Sequence, residues 1–225
     1  MKRKTYLIVL LMPLLAWHCR KQLQPTEVDL AEYGWVLYDE GQFRSANEWF
    51  VEAVFEDSTY TDGFNGLGWT YGKIGEIDSS LTNFQRGRTL AFQDTTRQDS
   101  ILLLSVPPHD VPKETTAGLT FAYHAKNNHV NAVIYGNSLL SMTGDSSYAA
   151  SQGSPRWTFS RDETVNSKHI IWTLASSQFA LGNFEKSLAH VHQLMSDPST
   201  FTPKVNTVEG RRELAEKIEF LRDNL

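Results

Sequence analysis

Apolar and small residues recur along residues 27–60 in two runs: Leu30, Tyr33, Gly34 and Leu37, then Phe43, Ala46, Phe50 and Ala53. Positions three and four apart share one face of a helix, so each run predicts a helix with a single buried stripe. Gly41 lies between the runs, where a left-handed residue closes one helix and allows the next to fold back. The whole pattern then returns. Gly34, Gly41, Phe43, Ala46, Phe50 and Ala53 are answered 34 positions later by Gly68, Gly75, Ile77, Ser80, Phe84 and Gly87. A repeat of this length, built as a helix hairpin, cannot bury its apolar face alone and stacks on its neighbours.

Two further units follow with interruptions. Residues 95–112 break the periodicity, and the segment from Val106 to Pro112 carries three prolines, which predicts a loop. Residues 113–146 are a degenerate third unit, in which Leu119, Thr120, Tyr123, Ala132 and Leu139 keep the spacing. Asn127 replaces the turn glycine, and Gly136 stands where an aromatic is expected. A second interruption, 147–167, is rich in Ser and Gly before Arg156, Trp157, Thr158 and Phe159, whose alternation suits a short extended segment. The fourth unit, 168–201, carries Leu174, Ala175, Leu181, Gly182, Phe184, Leu188, Val191 and Leu194. A polar helix over 207–223, with the narrow strip Leu214, Ile218 and Leu221, suits a cap on the last apolar face.

The stretch Phe64-x-x-Leu67-Gly68-x-x-Tyr71 and the turn Phe179-Ala180-Leu181-Gly182-Asn183-Phe184 resemble the tetratricopeptide family, over most of residues 27–201. The resemblance implies an all-α, right-handed α-solenoid of about four helix hairpins (27–60, 61–94, 113–146 and 168–201). Two loop insertions and a capping helix complete it. It also implies a protein-protein interaction scaffold that is not an enzyme, has no cofactor or metal, and takes a peptide segment or protein in its concave groove.

In that family the groove is lined by fixed positions of each first helix. Carried over by spacing, these are Ala31, Trp35, Tyr38 and Asp39; Asp62, Asn65, Trp69 and Lys73; Glu114, Phe121 and His124; and His169, Trp172 and Phe179. Trp35, Trp69 and Trp172 would be the partner-binding anchors, because large amphipathic rings dominate interface energetics. The same rings would instead be structural if they packed against neighbouring helices or the insertions.

The N-terminus changes the picture of where such a scaffold works. Lys2, Arg3 and Lys4 precede an apolar run from Tyr6 to Trp17, as in a secretory signal over residues 1–18. Cys19, the chain's one cysteine, follows this run and precedes a polar tether, 19–26. That order resembles a bacterial lipoprotein, with Cys19 as the lipid attachment point and the protein facing the periplasm or the cell surface. An uncleaved anchor and plain secretion are the alternatives, because Trp17 and His18 stand where small residues are usual. The expected partners are an envelope protein or peptide and, through the lipid, a membrane.

Charge and motifs narrow the chemistry. Net charge is −5, the wrong sign for a platform that releases counterions from phosphates, so no nucleic-acid partner is expected. His190 and His192 sit two apart on a helix and point away from each other, which disfavours a metal site. No phosphate loop, nucleophile elbow or zinc helix motif occurs. The rival reading is a hydrolase-like enzyme in which His109, Asp110, Arg156 and Arg161, from the two insertions, meet over the groove.

Overall fold

The computed structural model describes residues 24–94 and 110–225. The leader, Cys19 and most of the tether lie outside the described residues, as do 95–109 and with them His109. Four helix hairpins follow in order: α1 (Glu27–Asp39) with α2 (Phe43–Glu56), α3 (Thr61–Lys73) with α4 (Ile77–Asp94), α5 (Val111–Ala125) with α6 (His129–Thr143), and α7 (Ser167–Ala180) with α8 (Phe184–Leu194). A final helix, α9 (Val208–Arg222), lies against α7 and α8.

All four hairpins turn in the same way. Gly41, Gly75, Asn127 and Gly182 adopt positive φ of 75°, 87°, 57° and 77°. In each case the next residue's N–H donates back to a carbonyl of the closing helix turn: Gln42 to Leu37, Glu76 to Tyr71, Asn128 to Tyr123 and Asn183 to Gln178, at 2.8–2.9 Å. That bond satisfies a carbonyl the helix end would leave orphaned. Asn127 does what a glycine does elsewhere because its short polar side chain tolerates the left-handed region.

Glycine also sets the spacing between repeats. Phe50 of α2 fills the space over Gly34 and Gly66, where an added Cβ would stand 2.9 Å and 2.3 Å from its ring. One repeat on, Phe84 of α4 is held between Gly68 and Gly118, with corresponding distances of 2.4 Å and 2.1 Å. Each ring thus joins its own hairpin to the next through two residues without side chains. The third unit reverses the arrangement. Gly136 of α6 leaves a hollow into which Leu174 of α7 inserts, 2.8 Å from where a Cβ would be. The missing aromatic at Gly136 is therefore compensated from the following repeat.

Two expectations need correction. The proline segment does not end before the third unit; α5 begins at Val111 with Pro112 in its first turn and Asp110 as its cap, accepting from Lys113 N. Proline is tolerated there because first-turn N–H groups have no intrahelical partner. The second insertion is not only a loop: the extended segment that its alternation suits is present and is paired. It forms a β-hairpin, β1 (Thr158–Phe159) antiparallel to β2 (Asp162–Asn166), and Asn166 caps α7 by accepting from Lys168 N.

Candidate functional site

The first helices α1, α3, α5 and α7 touch their successors directly, which makes their side of the stack the inner, concave one. The β-hairpin of the second insertion folds onto this wall across α1, α3 and α5. Its base is tied down by Asp145, just after α6, which accepts from Arg156 N (3.0 Å), Trp157 N (3.1 Å) and Ser167 Oγ (2.6 Å). Its tip enters the groove.

Phe159 at that tip is fully buried among aromatic rings. It stacks on Trp69 with centroids 4.2 Å apart and planes 18° from parallel, and meets Trp35 and Tyr38 edge-on at 6.1 Å and 6.4 Å. Trp35, Tyr38, Asn65 and Trp69 are in consequence no more than 7% exposed. They occupy the inner positions that the repeat spacing assigned them, but they are not open anchors: the chain's own insertion covers them.

Beside the rings lies a polar cluster. Trp35 Nε1 donates to Asp62 Oδ2 at 2.8 Å, and Asn65 Nδ2 bridges the two acids, 3.2 Å from Asp62 and 2.6 Å from Glu114. Ser160 Oγ donates to Glu114 Oε1 at 2.5 Å. Arg161 lies with one guanidinium nitrogen 2.7 Å from Glu32 and 3.9 Å from Asp62, its plane 5.0 Å over the Trp35 ring. Burial pushes the Glu114 carboxyl up to about 7, opposed by the bond from Ser160, and Asp62 adds to the rise. Tyr38 Oη, Asn65 Oδ1 and Trp69 Nε1 are buried and have no hydrogen-bond partner among the described residues.

The remaining groove positions are spread out. Lys73 is exposed at the flank of the hairpin, 3.5 Å from Asp162 and over the Tyr38 ring. Phe121 is half-buried, edge-on to Trp69. His124 Nδ1 lies 3.0 Å from Ser177 Oγ, its pKa lowered by burial and by nearby His129. His169 closes the α7 capping box with Asn166, and burial lowers its pKa too. Trp172 donates from Nε1 to Ile218 O of α9 at 2.8 Å, so the capping helix occupies this third expected anchor. Phe179 packs edge-on to Phe184 at the α7–α8 turn.

His109 of the enzyme reading lies outside the described residues, and its other three members do not come together. Arg161 joins the groove cluster, whereas the Arg156 guanidinium lies against Gly144 and Asp110 caps α5. Phe159 as the filler of the groove, and Asp145 as its anchor, are not marked by any repeat spacing. The one signal at sequence level was the Trp157-Thr158-Phe159 alternation. Between α3, α4 and α5 lies an apolar pocket of about 150 Å³, bounded by Gly68, Trp69, Lys73, Phe84, Gly118 and Phe121.

No family model matches the chain, and no curated protein matches it. A solved structure, a tetratricopeptide repeat protein from Parabacteroides merdae ATCC 43184, is similar over 92% of this chain and 77% of that one, at 12% identity and a TM-score of 0.36. Four hairpins with one turn geometry, stacked through glycine-seated rings and closed by a terminal helix, form an all-α solenoid of helix hairpins.

Proposed function

We propose that the protein is a non-catalytic interaction scaffold that takes a segment of a partner protein along its concave side, held at a bacterial envelope membrane by a lipid on Cys19. Solenoids of this type act through extended concave surfaces. The observation that carries the reading here is the pocket beside Trp69, an apolar recess between α3, α4 and α5 with Lys73 among its lining residues. Recesses of this kind receive the anchoring side chain of a partner. The carboxylates of Asp62 and Glu114 speak against hydrolysis, because their contacts are made with the chain's own Trp35, Asn65, Ser160 and Arg161.

A photocrosslinking residue at Phe121, inside the groove, should capture a partner in cells. The same residue at Val130, which is 56% exposed on α6, should not. Equal capture from both positions, or none from Phe121, rejects groove binding. For the anchor, a fatty-acid analogue should label the protein and fail to label Cys19→Ser; label kept by that variant rejects lipidation.

A further inference from the structure

The β-hairpin that fills the groove is itself a description of what the groove binds. We propose that residues 157–166 are a displaceable stand-in for an external ligand, an extended peptide carrying an aromatic residue and, two positions later, an arginine. This rests on the groove reading above and names its ligand. The aromatic side chain takes the place of Phe159 between Trp35 and Trp69, and the guanidinium takes the place of Arg161 against Asp62 and Glu32.

Three features distinguish such an occupant from a permanent part of the core. The first is incomplete satisfaction: with the hairpin in place, Tyr38 Oη, Asn65 Oδ1 and Trp69 Nε1 stay buried and find no partner among the described residues. Buried polar groups are ordinarily paired, so a ligand whose backbone reaches these atoms makes bonds the hairpin leaves unmade. The second is mechanical. The hairpin is pinned at its base by Asp145, while β1 has two residues and an irregular register at its pairing with β2. In the proposed exchange the tip lifts while the base stays fixed.

The third is independence of the wall. The repeats are joined by Phe50 over Gly34 and Gly66, and by Phe84 between Gly68 and Gly118. Phe159 meets these seams only by way of Trp35 and Trp69, which pack on Phe50 and Phe84, so the seam rings stay seated on their glycines when the tip leaves. The apolar pocket between α3, α4 and α5 adjoins this place at Trp69. A tethered occupant competes at high effective concentration, which makes the bound hairpin a threshold that only a matching ligand overcomes.

The test uses the full-length protein in detergent and a fluorescent synthetic peptide of sequence SPRWTFSRDETVN, residues 154–166 of the chain. A variant with Phe159→Ser and Arg161→Ser should bind this peptide at least tenfold more tightly than the wild type does. Adding Asp62→Asn, or replacing the second of the peptide's two arginines, the one that corresponds to Arg161, with glutamine, should reduce that binding by tenfold or more. Absence of binding by a tip variant that keeps wild-type helical circular dichroism overturns the proposal. If the variant does not fold, hydrogen exchange on the wild type decides. Amides of residues 159–163 exchanging at least tenfold faster than those of α3 support displacement, and equal protection overturns it. No cellular partner enters this test, so its failure leaves the Phe121 crosslinking result standing, and the reverse also holds.

Discussion

Phe159 and Trp69 stack at 4.2 Å although 90 residues separate them, and through this pair an insertion between the third and fourth repeats closes the groove of the first and second. The contact converts what repeat spacing presents as an exposed anchor into an interior ring. It also couples the insertion to the stability of the stack.

Cutting Phe159 to Ala should therefore act on both. Loss of a fully buried phenyl costs about 3–5 kcal/mol where the wall cannot collapse, and less if the tip lifts away and its partners rehydrate. The emission of Trp69 should shift to the red. Thermal melts combined with tryptophan fluorescence read the two effects together; an unchanged melt and spectrum would contradict the stacking.

Trp35→Ala should behave as a core substitution, with a loss of about 3–5 kcal/mol. It removes a ring that is 1% exposed, together with the donor to Asp62. Calorimetry on this variant, set beside Phe121→Ala at the half-buried edge of the pocket, should show a much larger fall in melting temperature for Trp35.

Gly118→Ala places a Cβ 2.1 Å from Phe84 Cζ, and no rotation within the seam clears it without disturbing Gly68. Overpacking of this kind costs about 1–3 kcal/mol. Phe84→Leu in the same chain should restore part of the loss, since the smaller side chain admits the methyl. At Gly75 the problem is backbone and not space: φ is +87° with nothing near, so Gly75→Val should cost on the order of 1–3 kcal/mol that no neighbouring change rescues. Chemical denaturation of the three variants separates the two mechanisms.

Glu114 makes stability depend on pH with a definite sign. Its folded-state pKa, about 7, lies above the ordinary 4.5, so between these values the folded chain holds a proton that the unfolded chain has released. Stability from this group is complete below about pH 4.5 and is lost as pH rises through 7, by on the order of 3 kcal/mol. Glu114→Gln should flatten this part of the profile and gain on the wild type between pH 5 and pH 8. Urea melts across that range check it, and parallel profiles for the two proteins would rule it out.

Asp145 carries three donors from residues 156, 157 and 167, all at the base of the hairpin. Asp145→Ala leaves Trp157 N and the Ser167 hydroxyl buried without an acceptor, at about 1–3 kcal/mol each. Limited proteolysis should then cut within residues 147–166 well before any cut in the helices. Resistance equal to the wild type would mean that the base is held by other contacts.

The linear pattern by itself determined the repeating hairpins, because helix period, turn chemistry and close helix contact are local demands. Gly41 and Gly75 must be left-handed wherever the helices go, and Gly34 and Gly68 must be small for Phe50 and Phe84 to seat. It also placed Trp35, Asn65, Trp69 and Glu114 on the inner wall, since position within a repeat sets direction. What covers that wall was decided only by the tertiary structure. Nothing in the spacing of residues 147–167 says that Phe159 reaches back to Trp69 or that Arg161 meets Asp62. Nor does it say that Trp172 donates to the capping helix at Ile218. Those contacts join residues far apart in the chain through an insertion with no period of its own. They exist because the curved stack brings α1, α3 and α5 within reach of one short hairpin whose base Asp145 holds in place.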